Sequence, residues 1–317
     1  MVISRYGLGK TADHMTLEAI GKQYKITRER VRQIENYSFT VIRKSPLYIK
    51  EVEAFDELKK SIETHGSIVH EKDFLKAVSA DKSVQNHIHF LLVLGDAFKK
   101  RKEDDEFYHR WFVNDKIADR VEDSLKKLYE TLADEELIPE SEMISKFLDN
   151  LKDINEEYRN EEIARRWLGL SKKIGKNPLN EWGVSKSSNV KAKGMRDFAY
   201  LAIRRHGSPM HFTEVAKSIK TLFDREAHVA TCHNELIKDK RFVLVGRGLY
   251  ALSEWGYNQG VVKDVIRDII KKNGPMTKSE IVDKVMKERY VKENTIAVNL
   301  QNPKFFKKNK EGKYTVA

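Results

Sequence analysis

One cysteine, Cys232, is the whole thiol complement of this 317-residue chain. That excludes an internal disulfide and a cysteine-cage zinc site, and makes a reducing, cytoplasmic setting the simplest expectation. No apolar run approaches the roughly 20 residues that a membrane span needs. Met1 to Thr11 holds no apolar leader segment, so neither secretion nor a membrane partner is expected. Catalytic combinations are missing as well: there is no nucleophile–base arrangement and no carboxylate–lysine cluster of the nuclease kind. Gly7-Leu-Gly-Lys-Thr11 has the look of a phosphate-loop ending, but the full pattern needs glycine where Ser4 stands, after a strand for which there is no room. His228 and Cys232 sit one helical turn apart and supply two metal ligands at most. The acidic runs Glu103–Glu106 and Asp134–Glu136 have nothing to make them converge on a cation and read as solvated charge. No catalytic residue, metal or cofactor is therefore assigned, and the chain is not expected to be an enzyme.

What the sequence has in quantity is charge: 34% of residues are Asp, Glu, Lys or Arg, with a net +11. The surplus is localised. Residues 1–50 carry 10 Lys and Arg against 4 Asp and Glu, and residues 260–317 carry 14 against 7. Residues 51–115 are net −4, 116–194 net −1, and 195–259 net +3. A coat protein for nucleic acid would be basic throughout. Two basic ends around a mildly acidic middle suggest two contact regions on a polyanion, joined by a scaffold.

Helical periodicity dominates, and an internal repeat emerges on alignment. Phe55–Phe74, Phe198–Val215 and Val265–Ile281 each run from an amphipathic helix through a polar turn into a second helix. Gly66, Gly207 and Gly274 share one place, suited to a helix C-terminus, and Asp73, Glu214 and Glu280 follow at matching distance. A third helix and a hairpin complete each unit: Phe242–Val245 with Leu249–Leu252, and Phe305–Phe306 with Tyr314–Val316. A weaker copy spans about 118–184, and its tail Leu179-Asn-Glu-Trp-Gly183 echoes Leu252-Ser-Glu-Trp-Gly256. Three helices and a two-stranded hairpin are the plan of a winged helix; helical bundles with coincidental glycine turns are the alternative. Trp111, Trp167, Trp182 and Trp255 recur near unit ends and are expected in cores rather than under bases. The expected architecture is mainly α: a helix-turn-helix (1–50), winged-helix-like modules at 51–115 and 116–184, a linker at 185–194 (SKSSNVKAKG), and winged helices at 195–259 and 260–317.

The most informative stretch is Thr16–Lys44, TLEAIGKQYKITRERVRQIENYSFTVIRK. Thr16 and Thr27 are placed to cap two successive helices. Leu17, Ile20 and Tyr24 share a face of the first, and Val31, Ile34 and Ser38 form the inward stripe of the second. Gly21 lets the helices cross closely. Arg28, Glu29, Arg30, Arg32, Gln33 and Asn36 point away from that stripe. Such a surface suits duplex DNA: arginine neutralises phosphates, Arg and Gln read base edges, and Glu accepts from the cytosine amino group.

The string TLEAIGKQYKITRERVRQIE closely resembles region four of the housekeeping sigma factors of bacterial RNA polymerase, and Arg5-Tyr6-Gly7-Leu8 resembles the preceding helix of that region. The resemblance covers about the first 45 residues. It implies that the second helix reads a −35-like promoter element, with Arg28, Glu29, Arg32 and Gln33 on bases and phosphates and Arg30 as a supporting phosphate contact. Family members carry a longer helix before the RYGL string, so that support is either missing here or supplied by another part of the chain. Nothing resembles the region that melts and reads the −10 element, so a self-sufficient sigma factor is not expected.

Residues 195–257 resemble HARE-HTH winged-helix domains. The likeness rests on the opening Phe198–Ile203, on Gly207-Ser-Pro-Met-His-Phe-Thr-Glu-Val215 and on Arg241-Phe-Val-Leu-Val-Gly-Arg-Gly-Leu-Tyr-Ala-Leu252. That family occurs in chromatin proteins, restriction enzymes and an RNA polymerase subunit. The expected function is sequence-specific binding of double-stranded DNA in transcription regulation. Lys307, Lys308 and Lys310 of the last hairpin would add phosphate contacts, unless they are only a solvated tip. Two alternatives stand beside it: a non-catalytic adaptor docking on RNA polymerase, and the DNA-specificity component of a restriction or modification system.

Overall fold

The computed structural model describes residues 1–257 and 262–317. The protein is mainly α, with small antiparallel sheets of two or three strands. It divides into two compact units: residues 1–176 with 180–190, and residues 177–179 with 191–317.

The first unit opens with α1 (Val2–Tyr6), α2 (Leu17–Tyr24), α3 (Arg28–Arg43) and the short α4 (Pro46–Lys50). The first repeat follows as α5 (Val52–Thr64), β1 (Ile68–His70), α6 (Glu71–Val78), α7 (Lys82–Leu94), β2 (Lys99–Arg101) and β3 (Arg110–Phe112), with sheet order β1-β3-β2. The second has the same plan: α8 (Asp115–Glu130), β4 (Ile138–Pro139), α9 (Glu140–Asp149), α10 (Glu161–Leu168), β5 (Ile174–Lys176) and β6 (Glu181–Val184), in the order β4-β6-β5. Asn114 and Asn160 cap α8 and α10 by accepting from Ile117 N at 3.2 Å and Ile163 N at 3.0 Å.

In the second unit the third repeat comprises α11 (Met195–His206), β7 (Met210–His211), α12 (Phe212–Phe223), α13 (Val229–Lys238), β8 (Phe242–Gly246) and β9 (Leu249–Leu252), ordered β7-β9-β8. The fourth comprises α14 (Val262–Asn273), α15 (Lys278–Glu288), α16 (Glu293–Leu300), β10 (Phe306–Lys308) and β11 (Tyr314–Val316). A single bridge between Met276 and Tyr314 stands where the other repeats have their first strand. All four repeats are therefore three helices and a wing in one topology. Gly66, Gly207 and Gly274 all take positive φ. Asp73, Glu214 and Glu280 all fall at the third residue of a helix, but only Glu280 closes a capping box, with Thr277. Asp73 instead takes His70 at 2.7 Å, and Glu214 pairs with Lys217 at 2.9 Å.

Leu17, Ile20 and Tyr24 share a face of α2, with Tyr24 47% exposed because α2 ends there and Lys25 turns left-handed (φ 56°). Two expectations need correction. Residues 179–183 and 252–256 are not equivalent: Trp182 is buried in the central strand β6, whereas Ser253–Trp255 is a 3-10 turn after β9. The stretch 185–194 is packed as far as Val190, and Asn189 donates to the Glu135 carbonyl at 3.1 Å. Trp111, Trp167 and Trp182 are core residues, as expected, while Trp255 lies beside a small cluster of Val243, Val245 and Ala251.

The first two repeats are locked together. Arg110 on β3 and Glu122 on α8 form a buried ion pair at 2.6 Å, joined by Arg101 at 3.0 Å. Trp167 on α10 donates its indole N–H to the Gly66 carbonyl at 3.1 Å. A Cβ at Gly66, which holds φ 107°, would lie 2.7 Å from that indole nitrogen, so the contact tolerates only glycine.

Candidate nucleic-acid interface

Local chemistry builds the helix-turn-helix as the sequence implies. Thr16 accepts from Ala19 N at 3.1 Å, and Thr27 from Arg30 N at 3.2 Å. Ile20 and Val31 are buried between the helices. A Cβ on Gly21 would sit 2.7 Å from the Ile26 carbonyl, which is why the turn can pass so near α2. The inward stripe of α3 is Val31, with Ile34 and Ser38 half-buried.

Arg28, Glu29, Arg30, Arg32, Gln33 and Asn36 are all exposed on α3. Two internal pairs hold four of them. The Arg32 guanidinium grips Glu29 with contacts of 2.6 and 2.9 Å, and Arg30 donates to Gln33 Oε1 at 3.1 Å. The hydrogen bond from Arg32 holds the Glu29 carboxyl below its ordinary range. These pairs are solvent-exposed and hence weak, so they orient the side chains without withholding them from a ligand.

Support for this module comes from α7, the third helix of the first repeat. Asn86 is buried and donates to the carbonyls of Gly7 at 3.0 Å and Ala12 at 2.9 Å, while its own oxygen meets His14 Nε2 at 2.7 Å. Phe90 packs edge-on to Tyr6, with ring centres 5.3 Å apart. At the far end of α3, Arg43 donates to the carbonyls of Leu94 and Val93. The sequence left open whether support was missing or supplied from elsewhere. Asn86, Phe90 and Arg43 answer that, and their separations of 50 or more residues gave no local signal.

The wing lysines lie in the other unit. Lys307, Lys308 and Lys310 are exposed on and beside β10, and Lys308 stands 5.0 Å from the Tyr314 ring centre. Phe306 is the buried ring of the pair, and Phe305 is half-buried under Lys263. Cys232 is fully buried, and burial pushes its thiol up to about 11, whereas His228 lies exposed at the start of α13. Among the described residues no helix is long and apolar enough to cross a membrane. Residues 2–44, the span of α1 to α3 with its exposed row of arginines, match the family model of Sigma-70, region 4, and fold as a helix-turn-helix similar to that DNA-binding region.

Proposed function

We propose that the protein is a sequence-specific DNA-binding regulator of transcription in which α3 reads a −35-like element. The observation that carries the reading is the exposed surface of α3, where Arg28, Glu29, Arg32 and Gln33 stand clear of the core on a helix capped by Thr27. Arg and Gln suit purine edges in the major groove, and Glu suits the cytosine amino group. The last wing adds phosphate contacts through Lys307, Lys308 and Lys310, and linking two weak contacts raises selectivity through local concentration. The likeness of residues 195–257 to HARE-HTH domains adds weight to a DNA-directed role, and the chain acts by binding rather than catalysis.

A second reading, an adaptor docked on RNA polymerase, is favoured by one observation: in the first unit the third helices α7 and α10 are spent on internal packing, as a scaffold's would be. Gel shifts on duplexes with a −35-like hexamer and with its scrambled version separate the two. The regulator prefers the hexamer; equal affinity for both assigns the protein to the adaptor class. Changing Lys307, Lys308 and Lys310 to Ala should flatten the log K against log salt slope by about two to three units, at roughly 0.9 per lost phosphate contact, and leave base preference intact.

A further inference from the structure

The repeats differ in what covers their third helix. On α7, Phe90 is taken up by α1 and Asn86 by the turn that follows it. On α10, Ile163 and Trp167 are buried, and Trp167 bonds to Gly66. On α13 the exposed positions include Val229 and Ile237, at 42% and 62%, in a repeat of small net charge. Only α16 combines an open polar face with a strongly basic surround.

That face is specific in its chemistry. Ile296 and Leu300 point into the core, and on the opposite side Asn294, Thr295, Val298 and Gln301 are exposed. Asn294, Val298 and the C-cap residue Gln301 follow one another at spacings of four and three and form one row, with Thr295 beside it. Residues 262–317 carry 14 Lys and Arg against 7 Asp and Glu, and exposed Lys292 and Lys304 flank the helix. Two primary amides can each pair with the N6 and N7 edge of adenine, and the methyls of Val298 and Thr295 can meet the thymine C5-methyl. The row contains no arginine, the usual partner of guanine.

We infer that α16 is a second base-reading helix, which enters the major groove of an A·T-containing element while the lysine wing lies on the adjacent backbone. This inference rests on the DNA-binding reading above and extends it to a bipartite site, with α3 and α16 reading different base compositions.

The test is selection from a randomised duplex library with the full-length protein, its N294A/Q301A variant and its R28A/R32A variant. Folding is checked by circular dichroism melts, and both exchanged pairs lie on exposed faces. The wild type should select two elements, one of them A·T-rich. N294A/Q301A should lose the A·T-rich element and about tenfold in affinity per lost contact, with an unchanged salt slope, because no phosphate contact is removed. R28A/R32A should lose the other element only. An unchanged selected motif in N294A/Q301A overturns the inference, as does a wild-type motif with one element. Loss of the A·T-rich element in N294A/Q301A together with no change in R28A/R32A supports α16 and refutes the assignment of α3.

Discussion

Replacing Asn86 should unfasten the helix-turn-helix from its support. Asn86 is 5% exposed, and its amide makes the only side-chain bonds to the Gly7 and Ala12 carbonyls seen among the described residues. Asn86→Ala removes both bonds and the contact with His14. It also leaves two buried carbonyls without a donor, at about 1–3 kcal/mol each before water relieves them. The expected loss is about 2–4 kcal/mol in the docking of residues 1–24. Asn86→Asp is a stricter variant: it keeps the shape but aims an oxygen at the same two carbonyls. Hydrogen exchange reads the effect locally. Amides of α1 and α2 should exchange roughly 30- to 1,000-fold faster, while those of α11 and α12 in the other unit stay as they were. If exchange across residues 1–24 is unchanged in both variants, the clamp carries no energy and the support comes from elsewhere.

On α3, Glu29→Ala or Gln33→Ala should change which base is preferred, by about 1–3 kcal/mol of discrimination in competition binding, and Arg30→Ala should weaken all sequences alike. Gly66→Ala should cost about 2–4 kcal/mol in urea denaturation, because strain at φ 107° adds to a clash with Trp167. Gly207→Ala has positive φ but open space around it, and should cost only about 1–2 kcal/mol; equal losses would refute the packing argument. Burial works to raise the pKa of Glu71, but His89 and Lys100 outweigh it and hold the carboxyl well below its ordinary range. Its contribution is therefore complete above the unfolded value near 4.3 and fades as the pH falls below it, so Glu71→Gln should destabilise more at pH 6 than at pH 3 by denaturant midpoint.

Local signals in the sequence were dependable. The capping threonines, the glycine turns and the exposed arginine row act within four residues of themselves, and each stands where the pattern put it. The four-fold repeat was legible for the same reason, even in its weakest copy. The first strands of the repeats escaped notice because two or three residues carry no periodicity. The long-range bonds of Asn86 and Trp167 escaped because nothing in their own helices distinguishes a side chain bonded to a distant carbonyl from an ordinary amide or core ring. Tyr24 shares the face of Leu17 and Ile20 but is exposed, because it is the last residue of a helix whose end faces solvent. The Trp182 and Trp255 echo shows that a four-letter similarity does not fix register.

Arg43 ties the trailing end of α3 to Leu94, and Asn86 ties the turn that precedes α2, so one repeat holds the helix-turn-helix at two separate places. With α3 in the groove as proposed, these ties would make its position set the compass bearing of the first two repeats around the duplex axis. Moving the recognised element by about five base pairs would swing them to the opposite side of the DNA, and about ten would bring them back. Whatever these repeats present to other molecules would then be felt in phase with the turns of the double helix, and a promoter series with the element displaced in five-base-pair steps would show output rising and falling with that period.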